Sequence, residues 1–173
     1  MTILIILSLI VIVEVKMSGN EKATIVVFSG EMDKIMAAFI IATGAAAAGM
    51  ETTMFFTFWG LQALKKKKKT GKGFFGKMLG LFLKDINKIG PSKMNFGGIG
   101  RWMFKKMMKA KNVTPLEELR KLAIDLGIKL IACQMSMDVM EISREDLIDE
   151  VNSVAGVATY IKEAKDSNIT LFI

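Results

Sequence analysis

Histidine is absent from all 173 residues, and no other feature of the chain removes as much chemistry. Without it there is no Ser-His-Asp or Cys-His relay, no HExxH centre and no histidine-ligated metal. Cysteine is nearly absent too. Cys133 stands alone, which excludes an intrachain disulfide, a CxxC redox motif and a cysteine zinc site. A reducing cytoplasm is the expected compartment, and neither a metal nor a cofactor is expected. Long apolar runs are also lacking. Thr2 to Val13 is the longest, with no basic residue before it, and Glu14 and Lys16 close it. A spanning helix needs about 20 apolar residues, and a signal peptide needs a basic leader and a cleavage site. Residues 1–16 therefore read as an N-terminal extension or an extra β-rich segment, ahead of a single domain over residues 17–173.

Half of the residues are apolar, enough for a substantial core. The net charge of +7 is unevenly spread. Residues 1–64 hold three basic and five acidic groups, and residues 112–173 hold six and eleven. Between them, residues 65–111 hold fifteen basic groups against Asp85 alone. A mildly acidic domain is thus interrupted by a basic insert at about 65–111, and the two parts need separate explanations.

Outside the insert, apolar β-rich runs alternate with helical patterns. Ala23 to Phe28 reads as a buried strand, followed by a helix over Glu31 to Ala48 with Ser29 as its cap and Gly49 as its end. Thr52 to Phe58 is a second strand, and Trp59-Gly60 turns the chain into the short helical stretch 61–64. Thr114-Pro115 opens another helix, with Thr as cap, Pro at the first position and Glu117 at the third. Gly127 ends that helix. Ile128 to Cys133 is a third strand, and Ser136 caps a new helix after it. Ser143 to Ile148 is a short capped helix, 151–154 a short strand, Gly156 to Lys165 a helix and Ile169 to Ile173 a last strand. The alternation predicts a three-layer α/β/α domain with a mostly parallel sheet of about five strands and a basic helical insert.

In such a sheet, ligands bind beyond the carboxyl ends of the strands. Cys133 ends a strand there, and a helix start beside it would favour the thiolate. The competing reading is a small buried hydrophobe. Ser29, Gly30, Asp33, Lys34, Trp59 and Gly60 come from two other strand ends. Gly30 and Glu31 amides could hold a sulfur oxoanion, with Lys34 adding charge. Gln134 and Ser136, just after the cysteine, complete the candidate anion-binding set. The plain alternative for the first loop is an ordinary cap and a solvated first turn.

Several stretches together resemble the DsrE/DsrF family of small sulfur-handling proteins, in its subgroup with a basic, methionine-rich insert. They are Phe28-Ser29-Gly30 with Asp33-Lys34, Ala42 to Gly49 running into Phe55-Phe56-Thr57-Phe58-Trp59-Gly60-Leu61, and Ser92-Lys93-Met94-Asn95 with Gly97-Gly98. The run from Ile131 to Met140 and Gly156 to Tyr160 complete the set. The resemblance implies a three-layer fold, homo- or hetero-oligomers, and a cysteine at position 133 that carries persulfide or thiosulfonate sulfur to partners such as TusA-like carriers. It also implies glycine where this chain has Glu141, a departure expected to alter the loop shaping the pocket. Members are often labelled peroxiredoxin-like, but no Thr-x-x-Cys peroxidase signature is present.

Gly71 to Lys77 matches both a G-x-G-x-x-G and a G-x-x-x-x-G-K pattern. Both are rejected as nucleotide loops, because lysines rather than a strand precede them and Met78 stands where a P-loop needs a hydroxyl. The insert's apolar residues (Phe74, Phe75, Met78, Leu79, Phe82, Leu83 and Ile86; Trp102, Met103, Met107 and Met108) recur near helical spacing among basic residues. Such basic amphipathic helices suit self-association or an acidic partner, or else an anionic membrane surface. Nucleic acid is not expected, since no aromatic stacking platform is evident. Three functions follow: a cytoplasmic sulfur carrier using Cys133, with membrane association through residues 65–111 as an added expectation; a non-catalytic membrane or partner adaptor; or a one-cysteine peroxidase. The insert is expected to be dispensable for folding.

Overall fold

The computed structural model describes residues 21–68, 70–71 and 73–173, so the expected extension at residues 1–16 lies outside the described residues. The order is β1 (Lys22–Val27), α1 (Met32–Ala47), β2 (Glu51–Phe56), a 3-10 stretch (Phe58–Leu64), α2 (Phe74–Phe82), α3 (Ile99–Ala110) and α4 (Leu116–Asp125). Then come β3 (Lys129–Cys133), α5 (Gln134–Val139), β4 (Ser153–Ala155), α6 (Val157–Lys165) and β5 (Ile169–Phe172). The strands form one parallel sheet in the order β4-β3-β2-β1-β5.

Both central strands are buried almost end to end, as parallel strands sandwiched between helices must be. Side chains alternate across the sheet. Ile25, Val27, Met54, Phe56, Leu130 and Ala132 join Phe39 of α1 and Leu119 of α4 in the main core. Phe55, Ile131 and Cys133 face the other way, toward Ala155 and Tyr160. Ala38 and Ala42 are fully buried, and their small side chains let α1 lie close to the sheet. Burying a ring such as Phe39 or Phe56 contributes about 1.5–3 kcal/mol. The chain steps outward from β1 to β4, then returns to place β5 on the far side of β1. Right-handed crossovers then put α1 and α4 on one face and α6 on the other.

Helix ends follow local chemistry with some shifts. Gly49 and Gly127 close α1 and α4 in left-handed conformations, φ +88° and +71°, which glycine adopts without strain. The Thr114-Pro115 start lies one residue later than expected. Pro115 is the N-cap, with ψ 153°, and Leu116 is the first helical residue. Glu117 and Glu118 complement the positive helix end. At Ser143 the expected cap is present, as a reciprocal box with Asp146 over the 3-10 turn Arg144–Asp146.

The insert is less separable than its charge suggests. Leu83, Ile86, Ile89 and Met108 all belong to the main core. Lys65 is buried, and its Nζ donates to the Leu83 carbonyl at 3.1 Å and to Thr70 Oγ1 at 3.3 Å. Burial pushes its pKa below the ordinary lysine value, against the opposing pull of Asp146 and Asp85. The lysine run is also met by the acidic flank: Lys66 pairs with Asp149 at 2.7 Å, Lys68 with Asp146 at 3.6 Å and Lys67 with Glu117 at 3.9 Å. Deleting residues 66–110 would therefore uncover the core, contrary to the expectation from composition. Ile89→Ala should destabilise the domain by about 2–5 kcal/mol in a denaturant melt. A loss below about 0.5 kcal/mol, the usual bound for surface changes, would mean that the insert is an appendage.

Candidate functional site

Cys133 is the last residue of β3 and the N-cap residue of α5, with φ −74° and ψ 114°. Its register partner is Ala155 of β4. After β3 the chain turns to the α1/α4 face, where Met137 and Met140 enter the main core. After β4 it turns to the opposite face, where Tyr160 of α6 lies against Phe55 with ring centroids 5.4 Å apart. Neighbouring strands whose connections diverge in this way leave a crevice at their carboxyl ends, the usual ligand position in open α/β sheets.

Cys133 is only 4% exposed, in a small cluster with Phe55, Ile131, Ala155 and Tyr160. Its cover is thin. No residue of α6 is fully buried, and Val157 and Ile161 are exposed. Segments with so few buried apolar contacts open at low free-energy cost.

The other predicted residues fall into distinct groups. Gly30, Trp59 and Gly60 meet at the ends of β1 and β2. A Cβ on Gly30 would strike the Trp59 side chain and the Gln62 amide, and one on Gly60 would strike the Val27 carbonyl. Ser29 is not the cap of α1. Its amide and that of Phe28 donate to the Ile173 carbonyl, and Glu31 takes the N-cap position without a side-chain cap bond. The insert satisfies this helix start instead. Met32 N–H donates to the Gly90 carbonyl at 2.8 Å, and Asp33 accepts from the Ser92 amide and hydroxyl at 2.8 and 2.6 Å. Burial would raise the Asp33 pKa, but these bonds outweigh it and hold the carboxyl below its ordinary value. Lys34 makes a 3.5 Å pair with Glu31 on the surface, a contact of little energetic weight.

Ser136 is not a cap either. It lies inside α5, fully buried, with its hydroxyl 2.8 Å from that of Thr57. That bond ties α5 to the end of β2. Gln134 is exposed, and its Nε2 donates to Asp138 Oδ1 at 2.7 Å. A cleft of about 560 Å³ runs beside α5, lined by Gln134, Asp138, Glu141 and Arg144 among others. Three participants escaped the sequence reading: Thr57, Gln62 and Tyr160. The signal for Thr57 and Gln62 was a polar residue inside an apolar run. Gln62 bridges the edge to the insert, with Oε1 accepting from the Lys84 amide at 2.7 Å.

Glu141 accounts for Gly73 and Gly76 in the insert's glycine pattern. It sits just past α5 with φ +48°, a left-handed conformation that costs a non-glycine residue about 1–2 kcal/mol. Its carboxylate accepts the Gly73 amide at 2.7 Å, directly at the start of α2. A Cβ on Gly76 would collide with the same carboxylate. The glycines therefore do cradle an anion at a helix N-terminus, and the anion is the chain's own side chain. A hydrogen bond to a charged group is worth about 1.5–3 kcal/mol, enough to offset the backbone strain.

The DsrE/DsrF/DrsH-like family profile matches residues 19–172. The uncharacterized protein YrkE of Bacillus subtilis (strain 168) is 46% identical over 157 residues, covering 89% of this chain and 98% of that protein. The sulfur carrier protein DsrE2 of Allochromatium vinosum is 37% identical over 158 residues, covering 89% and 99%. The crystal structure of the YchN protein from E. coli aligns with a TM-score of 0.53 over 88% of this chain and 99% of that one, at 11% identity. It attests the fold alone.

Glu141→Ala should destabilise the chain by about 1–3 kcal/mol, because it removes the carboxylate while leaving a Cβ at positive φ. Glu141→Gly should cost less, since it also relieves the strain. Chemical denaturation of the two variants distinguishes them. Equal losses would show that the left-handed backbone carries no cost.

Proposed function

The chain belongs to the DsrE/DsrF/DrsH-like family, and from that premise we propose that Cys133 is the sulfur-bearing residue of a carrier that works by thiol exchange. Family membership and the DsrE2 relative support a role in sulfur relay. The observation that carries the finer reading is the place of Cys133: the chain's lone cysteine ends a strand at the divergence of two crossovers.

The Cys133 thiolate attacks the terminal sulfur of a donor persulfide. A new S–S bond forms on Cys133, the donor's S–S bond breaks, and the donor leaves as a thiolate. A partner thiolate then attacks the outer sulfur and restores Cys133 as the leaving group. Neither step needs an external oxidant or reductant. With tetrathionate, the thiolate attacks an inner sulfur, retains a thiosulfonate group and releases thiosulfate. With no second cysteine there is no internal resolving step, so every transfer is intermolecular. Partners of the TusA type suit that requirement, as does a reducing cytoplasm.

Burial of the thiol fits this work if Tyr160 and α6 move aside for the donor and close again over the loaded sulfur. The Gly30, Trp59 and Gly60 loop then forms the far wall at the sheet edge. Self-association is part of the same proposal. β5 is an edge strand with Ile169 and Phe172 exposed, and Phe28 stacks on Phe172 with centroids 5.7 Å apart. Among the described residues no helix is long and apolar enough to cross a membrane.

Intact-mass spectrometry after polysulfide or tetrathionate treatment tests the assignment. The expected result is one added sulfur or thiosulfonate on the native chain and none on Cys133→Ser. Oxygen adducts alone, formed rapidly with hydrogen peroxide, would favour the peroxidase reading. No adduct under any condition would leave the adaptor reading and remove Cys133 from the chemistry.

A further inference from the structure

Helix α3 is apolar on two sides, and the domain uses one of them. Inward, Gly100 and Met108 are buried and Phe104 packs on the core. Arg101 and Lys105 hold the flank by donating to the Lys88 and Asn87 carbonyls. Outward, Ile99, Trp102, Met103 and Met107 are 67%, 64%, 41% and 58% exposed. Their spacing puts them on one stripe of the helix. Lys106 lies on this side too, with Nζ 5.3 Å from the Trp102 ring centroid. Helix α2 repeats the pattern. Phe74, Met78 and Phe82 stand four residues apart and are 80%, 51% and 65% exposed.

We infer that the outer faces of α2 and α3 dock the protein onto an anionic lipid surface, as a peripheral and reversible attachment. Charge decides the occupant. Residues 65–111 contain fifteen basic residues and one acidic residue, Asp85, which is buried and paired with Lys88 at 3.1 Å. A second copy would bring two such basic faces together, which like-charge repulsion opposes. A bilayer offers diffuse negative charge at the headgroups and an apolar layer beneath them. Trp, Phe, Met and Ile enter that layer while lysine stems keep their ammonium groups at the phosphates. Lysines interleaved with large apolar groups on exposed helices suit that partner better than the matched concave site of a folded acidic protein.

Flotation of the full chain with lipid vesicles tests the inference. Binding is expected to vesicles containing about a quarter phosphatidylglycerol and not to pure phosphatidylcholine. About 0.5 M salt should release most of it by screening. Trp102→Glu and Met107→Glu should each lower the bound fraction about tenfold, while Trp102→Phe should retain it. Both acidic variants should still accept sulfur on Cys133, which reports an intact fold and separates this surface from the carrier proposal. Equal binding to both vesicle types, or binding untouched by either acidic substitution, overturns the inference and assigns the attachment to another part of the chain. Absence of binding overturns it in favour of an acidic protein or a second copy.

Discussion

The connections leaving β3 and β4 pass to opposite faces of the sheet, and the candidate site depends on that divergence. β3 hands its chain to the face of α1 and α4, through Met137 and Met140. β4 hands its chain to the face of α6, through Tyr160. Cys133 stands where the two part, opposite Ala155. The Thr57–Ser136 bond then holds α5 against the end of β2, so the residues after the cysteine have a fixed direction. Losing one partner of such a buried pair leaves an unsatisfied hydroxyl, at a cost of about 1–3 kcal/mol. Rigid support on one side and a lightly packed cover on the other is an arrangement suited to a thiol that must be shielded and also reached.

The insert is coupled to this edge at several points. Gly90 and Ser92 complete the start of α1, Lys84 reaches Gln62, and Glu141 holds the start of α2 beside α5. Its inner residues are core and its outer residues are exposed, so one segment carries two kinds of contact. The acidic flanks neutralise part of the lysine run through Asp146, Asp149 and Glu117. On α3, Lys106 and Lys109 are exposed.

Much of this architecture was legible in the residues. Strands buried on both faces announce themselves as continuous apolar runs, and Gly49 and Gly127 marked helix ends because only left-handed closure needs glycine there. The family resemblance drawn from the Cys133 run and the Phe55 to Leu61 run agrees with the family match. Less legible were features set by contacts distant in sequence. Ser29 and Ser136 have the composition of caps, but Ser29's amide bonds the chain end and Ser136's hydroxyl bonds a residue 79 positions away. Leu83 and Ile86 continue the helical spacing of the run from Phe74, but α2 ends at Phe82, and both lie with Ile89 in irregular backbone whose burial that spacing does not reveal. Glu141 was visible as a departure, but its grip on Gly73 required the fold.

The central claim is that sulfur on Cys133 is in transit. Chain loaded with isotopically labelled sulfane sulfur and mixed with a thiol-bearing carrier of the TusA type tests it by following the label on both proteins. The account predicts transfer of one labelled sulfur per chain to the carrier thiol, with Cys133 returned to the free thiol and ready to load again. Label that stays on Cys133, or a Cys133 that ends as a sulfinic acid while the carrier remains unlabelled, would contradict it.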